Sequence, residues 1–436
     1  MSTLLRIATA GSVDDGKSTL VGRLLYDSKS VLTDQLEAVE RVSQAKGLGH
    51  VDLALLTDGL RAEREQGITI DVAYRYFATA RRTFILADCP GHVQYTRNTV
   101  TGSSTADALV LLVDARKGAQ EQTRRHLAVG QLLRVPHIVV AVNKIDLVGY
   151  SKERYDQVAA QLAAIAEELG ATVSVLPVSA LVGDNIVERS SRMEWYEGPP
   201  LLELLENLPL HPHADADFRF PVQLTIRPQE AALDPAHVEY RGHAGQVASG
   251  VVRVGDPVVV LPSGRRTTVV GIDTADGELA EAFAPQSVTL RLADEIDVTR
   301  GELIAGAERA PVPTQDLDGM VAWLSESPLR VGQKVLVKHT TRTTQAVVRD
   351  IDGRLDLDTL RPHAAETLEL NDLGRVRLRL AAPIMAEPYA TSRQTGSFLL
   401  IDPQSGTNLA AGMIRGDQAF SDNAAVPVPD IPDWSI

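Results

Sequence analysis

Gly11-Ser12-Val13-Asp14-Asp15-Gly16-Lys17-Ser18 follows directly on the apolar run Leu4 to Ala10. That run reads as a buried strand, and the residues after it fit the pattern G-x-x-x-x-G-K-[ST] in the strand-to-helix context the pattern needs. Such a turn aims consecutive backbone N–H groups and a helix N-terminus at a polyphosphate. Gly11 and Gly16 have no Cβ to obstruct the tight curl of the backbone. Lys17 is then placed to reach the β- and γ-phosphates as a catalytic cation, and the Ser18 hydroxyl, beside Thr19, to ligate Mg²⁺.

Three more strand ends carry matching chemistry. The run Arg82 to Ala87 ends in Asp88-Cys89-Pro90-Gly91-His92. An acidic residue there suits a water-mediated Mg²⁺ contact, and Gly91 supplies an N–H that senses the γ-phosphate. The run His137 to Val142 leads into Asn143-Lys144-Ile145-Asp146, where the Asp146 carboxylate can accept hydrogen bonds from guanine N1–H and the 2-amino group. Adenine lacks that pair of donors and would leave a buried carboxylate unpaired. The run Val173 to Val178 delivers Ser179-Ala180-Leu181, a backbone contact for guanine O6. Motifs of this kind in this order predict GTP and GDP as ligands, with Mg²⁺.

Composition sets the class. A chain of 436 residues has ample core for more than one domain. The net charge of −14 argues against a nucleic-acid surface. The single cysteine, Cys89, excludes an internal disulfide, fits a cytoplasmic setting, and reads as a small residue packed under its loop. No apolar run reaches the length of a membrane span, and residues 1–11 hold a strand rather than a signal peptide.

The chain changes character near residue 212. Before it, strand-like runs, including Ala108 to Asp114, alternate with helical periodicity such as Tyr155, Val158, Ala159, Leu162, Ile165, Ala166 and Leu169. This alternation predicts an α/β domain with a mostly parallel, doubly wound sheet and the ligand at its C-terminal strand edge. After Pro209-Leu210-His211-Pro212, short Val-rich runs stand between turns such as Pro262-Ser263-Gly264, and Arg375-Val376-Arg377-Leu378-Arg379-Leu380 alternates strictly. Two antiparallel β-barrels are expected, giving domains 1–212, 213–308 and 309–436.

A GTP-binding domain followed by two barrels resembles the translational elongation factors of the Tu and 1-alpha types. The Ser12-Val13-Asp14-Asp15 form of the loop is more similar to the GTPase subunits of bacterial ATP sulfurylase, since the elongation factors usually carry a histidine pair around that valine-aspartate. Further matches are Gly22-Arg23-Leu24-Leu25-Tyr26-Asp27, the stretch Asp58 to Asp71, Gln94-Tyr95-Thr96-Arg97-Asn98, Phe220-Pro221-Val222-Gln223 and the stretch Arg241 to Gly250. The resemblance is strong over residues 5–205, fair over 218–305 and thin beyond 306.

The resemblance implies roles. Thr69 matches the switch threonine that ligates Mg²⁺, within a switch segment from about Asp27 to Gly67 that carries an inserted helix at 33–46. His92 matches the histidine that orients the attacking water. Arg64 and Arg97 read as ion-pair partners, and no arginine finger is identified. Cys89 and Val93 stand where relatives usually have Thr and Glu or Gln, and residues 228–236 read as a barrel-loop expansion. The implied function couples GTP hydrolysis to adenylyl sulfate synthesis from ATP and sulfate in a separate catalytic ATP sulfurylase subunit. The absence of a second phosphate loop implies no adenylylsulfate kinase activity. A translational GTPase binding aminoacyl-tRNA is the alternative reading, and a GTPase of another sulfur- or selenium-handling complex is a third.

Overall fold

The computed structural model describes residues 3–29, 33–45, 51, 53–56, 72–90, 96–210, 216–229, 238–356 and 362–415. Thr69, Gly91, His92, Val93 and Arg64 lie outside the described residues, as do the whole of the 58–71 match and most of the 228–236 expansion. The chain separates into two compact units, the first ending at Leu210 and the second formed by most of the residues beyond it.

The first unit is a sheet of strands β1 (Thr3–Gly11), β2 (Ala73–Ala78), β3 (Arg82–Asp88), β4 (Ala108–Asp114), β5 (His137–Asn143) and β6 (Val173–Pro177). They lie in the order β2-β3-β1-β4-β5-β6, and all neighbours but β2 and β3 run parallel. A parallel strand covered on both faces should read as an unbroken apolar run. In β4 every residue is buried, Asp114 included. The helices are α1 (Lys17–Asp27), α2 (Thr33–Ala45), α3 (Thr96–Ser104), α4 (Glu121–Leu132), α5 (Lys152–Glu168) and α6 (Leu201–Asn207). The Ser151 hydroxyl caps α5 by accepting from the Arg154 N–H, and Val158, Leu162 and Ala166 form its buried stripe.

Parallel pairing brings the C-terminal ends of β1, β3, β4, β5 and β6 to one edge. In register, Thr9 faces Asp88, Gly11 faces Leu112, Asp114 faces Asn143 and Val142 faces Pro177. β1 sits between β3 and β4, where the strand order reverses, so the phosphate loop leaves the sheet at its topological switch point.

The second unit holds two antiparallel barrels. The first is built from β7 (Arg219–Ile226), β8 (Gly242–Gln246), β9 (Val251–Arg253), β10 (Pro257–Leu261), β11 (Arg265–Thr274), β12 (Gly277–Leu279), β13 (Glu281–Phe283), β14 (Ser287–Leu292) and β15 (Leu303–Gly306). Its sheet runs β10-β15-β7-β8-β14-β11-β12 and closes through β10 and β11. The second barrel uses β16 (Thr314–Trp323), β17 (Leu329–Arg330), β18 (Lys334–His339), β19 (Arg342–Leu355), β20 (Pro362–His363), β21 (Thr367–Leu368), β22 (Leu373–Ile384), β23 (Ser397–Ile401) and β24 (Asn408–Ile414). It runs β18-β23-β24-β16-β22-β19-β20 and closes through β18 and β19. Closure leaves few free strand edges to pair with other chains.

Each barrel has its own core, around Phe220 and Leu290 in the first and around Trp323 and Leu378 in the second. A smaller apolar cluster joins Val259, Leu261, Leu303 and Ala305 of the first to Met385 beyond β22. The buried guanidinium of Arg219 reaches the Glu387 carboxylate through contacts of 2.8–3.1 Å. No helix among the described residues is long and apolar enough to cross a membrane.

Candidate guanine-nucleotide site

The loop between β1 and α1 turns through left-handed conformations at Asp14 (φ +68°) and Gly16 (φ +94°). Asp is one of the few side chains that tolerate this region, and glycine occupies it without penalty. Gly16 is required for a second reason: a Cβ there would stand 2.5 Å from Nδ2 of Asn143. The phosphate loop is therefore packed against the start of the Asn143-Lys144-Ile145-Asp146 motif.

Lys17 opens α1 almost fully buried, its ammonium donating to the carbonyls of Gly11 and Ser12, each at 2.9 Å. Burial lowers its pKa, while Asp88 and Asp15 oppose that shift. A cation already held at the mouth of the loop is placed to meet phosphate oxygens at little cost in side-chain entropy. Asp88 is buried at the end of β3 and accepts from the Thr9 hydroxyl at 2.8 Å. The same hydroxyl accepts a long contact, 3.4 Å, from the Cys89 N–H. Cys89 is fully buried, and burial pushes its thiol well above the ordinary range, so it is a packed, unreactive group.

The base side is a connected set. Asn143 donates through Nδ2 to the Asp15 carbonyl at 2.8 Å and accepts through Oδ1 from the Ala180 N–H at 2.9 Å. One side chain thus holds the phosphate loop and the Ser179-Ala180-Leu181 loop together. Ser179 donates through its hydroxyl to Oδ1 of Asp146 at 2.7 Å, which fixes the carboxylate's rotamer and leaves Oδ2 for a further donor. Ile145 is buried beneath the turn, its N–H donating to the Val178 carbonyl.

Other side chains brace the site through contacts that the motifs themselves do not specify. Lys144 reaches across to the Asp14 carbonyl and to the buried carboxylate of Asp114 at 3.1 Å. Burial alone would raise the Asp114 pKa, but hydrogen bonds from Arg116 and Lys144 outweigh it and hold the carboxyl well below the usual range. Arg23 on α1 donates to the carbonyls of Ala180 and Leu181 at 3.2 and 2.5 Å. His126 on α4 is buried and hydrogen-bonded to the Gly11 backbone, with its Nε2 3.2 Å from the Gln122 amide nitrogen. Because that nitrogen can only donate, Nε2 accepts and the proton sits on Nδ1. Burial, with Lys17 nearby, lowers the His126 pKa to about 3, so it stays a neutral prop. Asp114 stands opposite Asn143 at the sheet edge and could have been suspected there; Arg23 lies in a matching stretch that assigned it no role, and His126 carried no signal.

Of the expected nucleotide-binding residues, those from Gly11 to Thr19, Asp88 to Pro90, Asn143 to Asp146 and Ser179 to Leu181 gather at this edge through the contacts above. Gly91, His92 and Thr69 fall outside the described residues. No cluster of metal-ligating side chains occurs among the described residues. Ser18, one residue into α1, offers a hydroxyl and the oriented Asp88 a carboxylate, a donor set that could serve Mg²⁺ beside phosphate oxygens.

Residues 2–211 match the family model described as elongation factor Tu GTP binding domain, and residues 316–415 match GTP-eEF1A C-terminal domain-like. A sulfate adenylyltransferase subunit 1 from Bacteroides fragilis is 46% identical over 99% of this chain and 91% of its own length. One from Vibrio cholerae is 48% identical over 95% of this chain and 86% of its own. A bifunctional enzyme CysN/CysC from Mycobacterium tuberculosis is 52% identical, and the chain spans 68% of its length.

Proposed function

Because the chain belongs to the family of sulfate adenylyltransferase subunit 1, we propose that it is the GTPase subunit of a heteromeric sulfate adenylyltransferase. It couples GTP hydrolysis to formation of adenylyl sulfate from ATP and sulfate. The observation that carries this reading is identity of 46–48% to such subunits over nearly the whole chain. The same relatives favour it over the translational alternative.

In this reading the phosphate loop and Lys17 neutralise the transferring phosphoryl group, and Asp146 with a backbone contact from Ser179-Ala180-Leu181 selects guanine. Mg²⁺, when bound through Ser18, Thr69 and the water-linked Asp88, spreads the charge that develops on the phosphate oxygens. His92 orients the attacking water. The adenylyl chemistry belongs to the partner subunit, and the segments around Thr69 and Gly91 report the nucleotide state to it. Coupling requires that the GTP and GDP forms differ in their free energy of contact with that partner. The domains follow the bounds 1–212, 213–308 and 309–436.

The test is adenylyl sulfate synthesis by this chain mixed with the catalytic subunit, with and without GTP. Synthesis should rise with GTP and lose that rise in Lys17→Ala. Synthesis indifferent to GTP would overturn the coupling role.

A further inference from the structure

Asp15 is a phosphate-loop residue that the phosphate-loop pattern leaves free to vary, and it makes more contacts than a spacer needs. It is 3% exposed. Its Oδ2 accepts from the Ser12 N–H at 2.8 Å, and its own N–H donates to the Ser12 carbonyl at 3.3 Å. Its carbonyl accepts from Nδ2 of Asn143 at 2.8 Å. The backbone of Asp15 is thus the joint at which the phosphate loop is fastened to the guanine-reading loop.

The turn does not need the carboxylate's charge. An asparagine or serine also carries an oxygen that can accept from the Ser12 N–H, though a neutral acceptor holds it less strongly. Burial works against that charge, and the Ser12 N–H, Lys17 and Lys117 partly compensate it. A negative charge within the field of Lys17 offsets part of the attraction that holds a polyphosphate, and the low-dielectric setting strengthens that opposition.

We propose that Asp15 is a positioning residue with two actions: its backbone joins the phosphate and guanine loops, and its carboxylate speeds departure of the nucleoside diphosphate. The chain then sheds its GDP product from a loop that carries its own repulsive charge. This rests on the guanine-nucleotide reading of the site.

The test tracks release of N-methylanthraniloyl-GDP from the full chain, in Mg²⁺ buffer, on chasing with excess GDP. Asp15→Asn keeps an acceptor for Ser12 and removes the charge, so release should slow on the order of tenfold, with a matching fall in Kd. Asp15→Ala also removes the acceptor and should release faster than Asp15→Asn. A purely structural role predicts faster release in both variants, because a loosened loop cannot hold its ligand better. Release from Asp15→Asn at or above the wild-type rate overturns the proposal. If Asp15→Asn does not fold, Asp15→Ser is read in the same way. Wild-type protein that takes up no labelled GDP would instead sink the nucleotide reading itself, which separates the two failures.

Discussion

Asp146 shows how much a single residue's environment fixes. The Ser179 hydroxyl occupies Oδ1 at 2.7 Å, so Oδ2 is the oxygen left for a base. Asparagine in its place would present an amide N–H₂ toward the N–H donors of guanine. We expect Asp146→Asn to weaken GDP binding at least about a hundredfold, because donor faces donor and a polar group is left unpaired. Xanthine, which carries a carbonyl where guanine has its amino group, should regain much of the loss. Titration of both diphosphates checks this, and unchanged guanine preference would remove Asp146 from the base site. Gly16 is as constrained for a steric reason, since its missing Cβ leaves room for Asn143.

At the scale of elements, period-two alternation in β22 places Arg375, Arg377 and Arg379 on one side of the strand. They pair with aspartates of the flanking strands, yet the pairs are unequal. Arg375 grips Asp318 at 2.7 and 3.1 Å, and the Asp318 side chain is 2% exposed. Arg377 meets Asp350 and Asp352 at 2.8 and 2.7 Å but is 51% exposed. Arg375→Gln should cost the second unit about 3 kcal/mol by stranding a buried carboxylate. Arg377→Gln should cost less than about 1 kcal/mol, because solvent screens an exposed pair. Urea midpoints of the two variants decide it, and equal losses would show that burial does not set the difference. The alternation was legible in sequence; the strands that answer it were not, because register depends on residues from three separate stretches.

Among the described residues, three histidines are buried, and burial disfavours the charged form of each. Burial lowers His126 to about 3 and His243 to about 4, with Lys17 and Arg125 beside the first and Arg241 beside the second. Burial also lowers His339, against a hydrogen bond with the Thr395 carbonyl and the charge of Glu387. For a base whose folded pKa lies below its unfolded one, the unfolded state binds more protons. Stability is then full above about pH 6.5 and declines as the pH falls toward the folded value, by about 1.4 kcal/mol per pH unit for each group. Melting should move to lower temperature between pH 7.5 and 5.5, above the range in which ordinary carboxylates titrate. The slope should be shallower in His126→Asn; identical slopes would show that His126 titrates alike in both states.

Local pattern was enough to set the elements and the order of their motifs. The run Ala108 to Asp114 and the apolar stretches before each motif are long, uniform and bounded by Gly, Pro or polar turns, so the sequence alone placed these strands within a residue or so of their ends. The inserted helix read at 33–46 is α2, Thr33–Ala45. The reading of an α/β GTP-binding domain followed by two antiparallel barrels rests on the same signals, and the family likeness agrees with it. The bracing of the site came from tertiary structure alone: Lys144 on Asp14 across 130 residues, Asn143 between Asp15 and Ala180, and His126 under Gly11. These contacts join side chains to backbone groups far away in sequence. No periodicity records such a partner, because it is fixed by how the parallel strands stack in register and bring their ends to one edge.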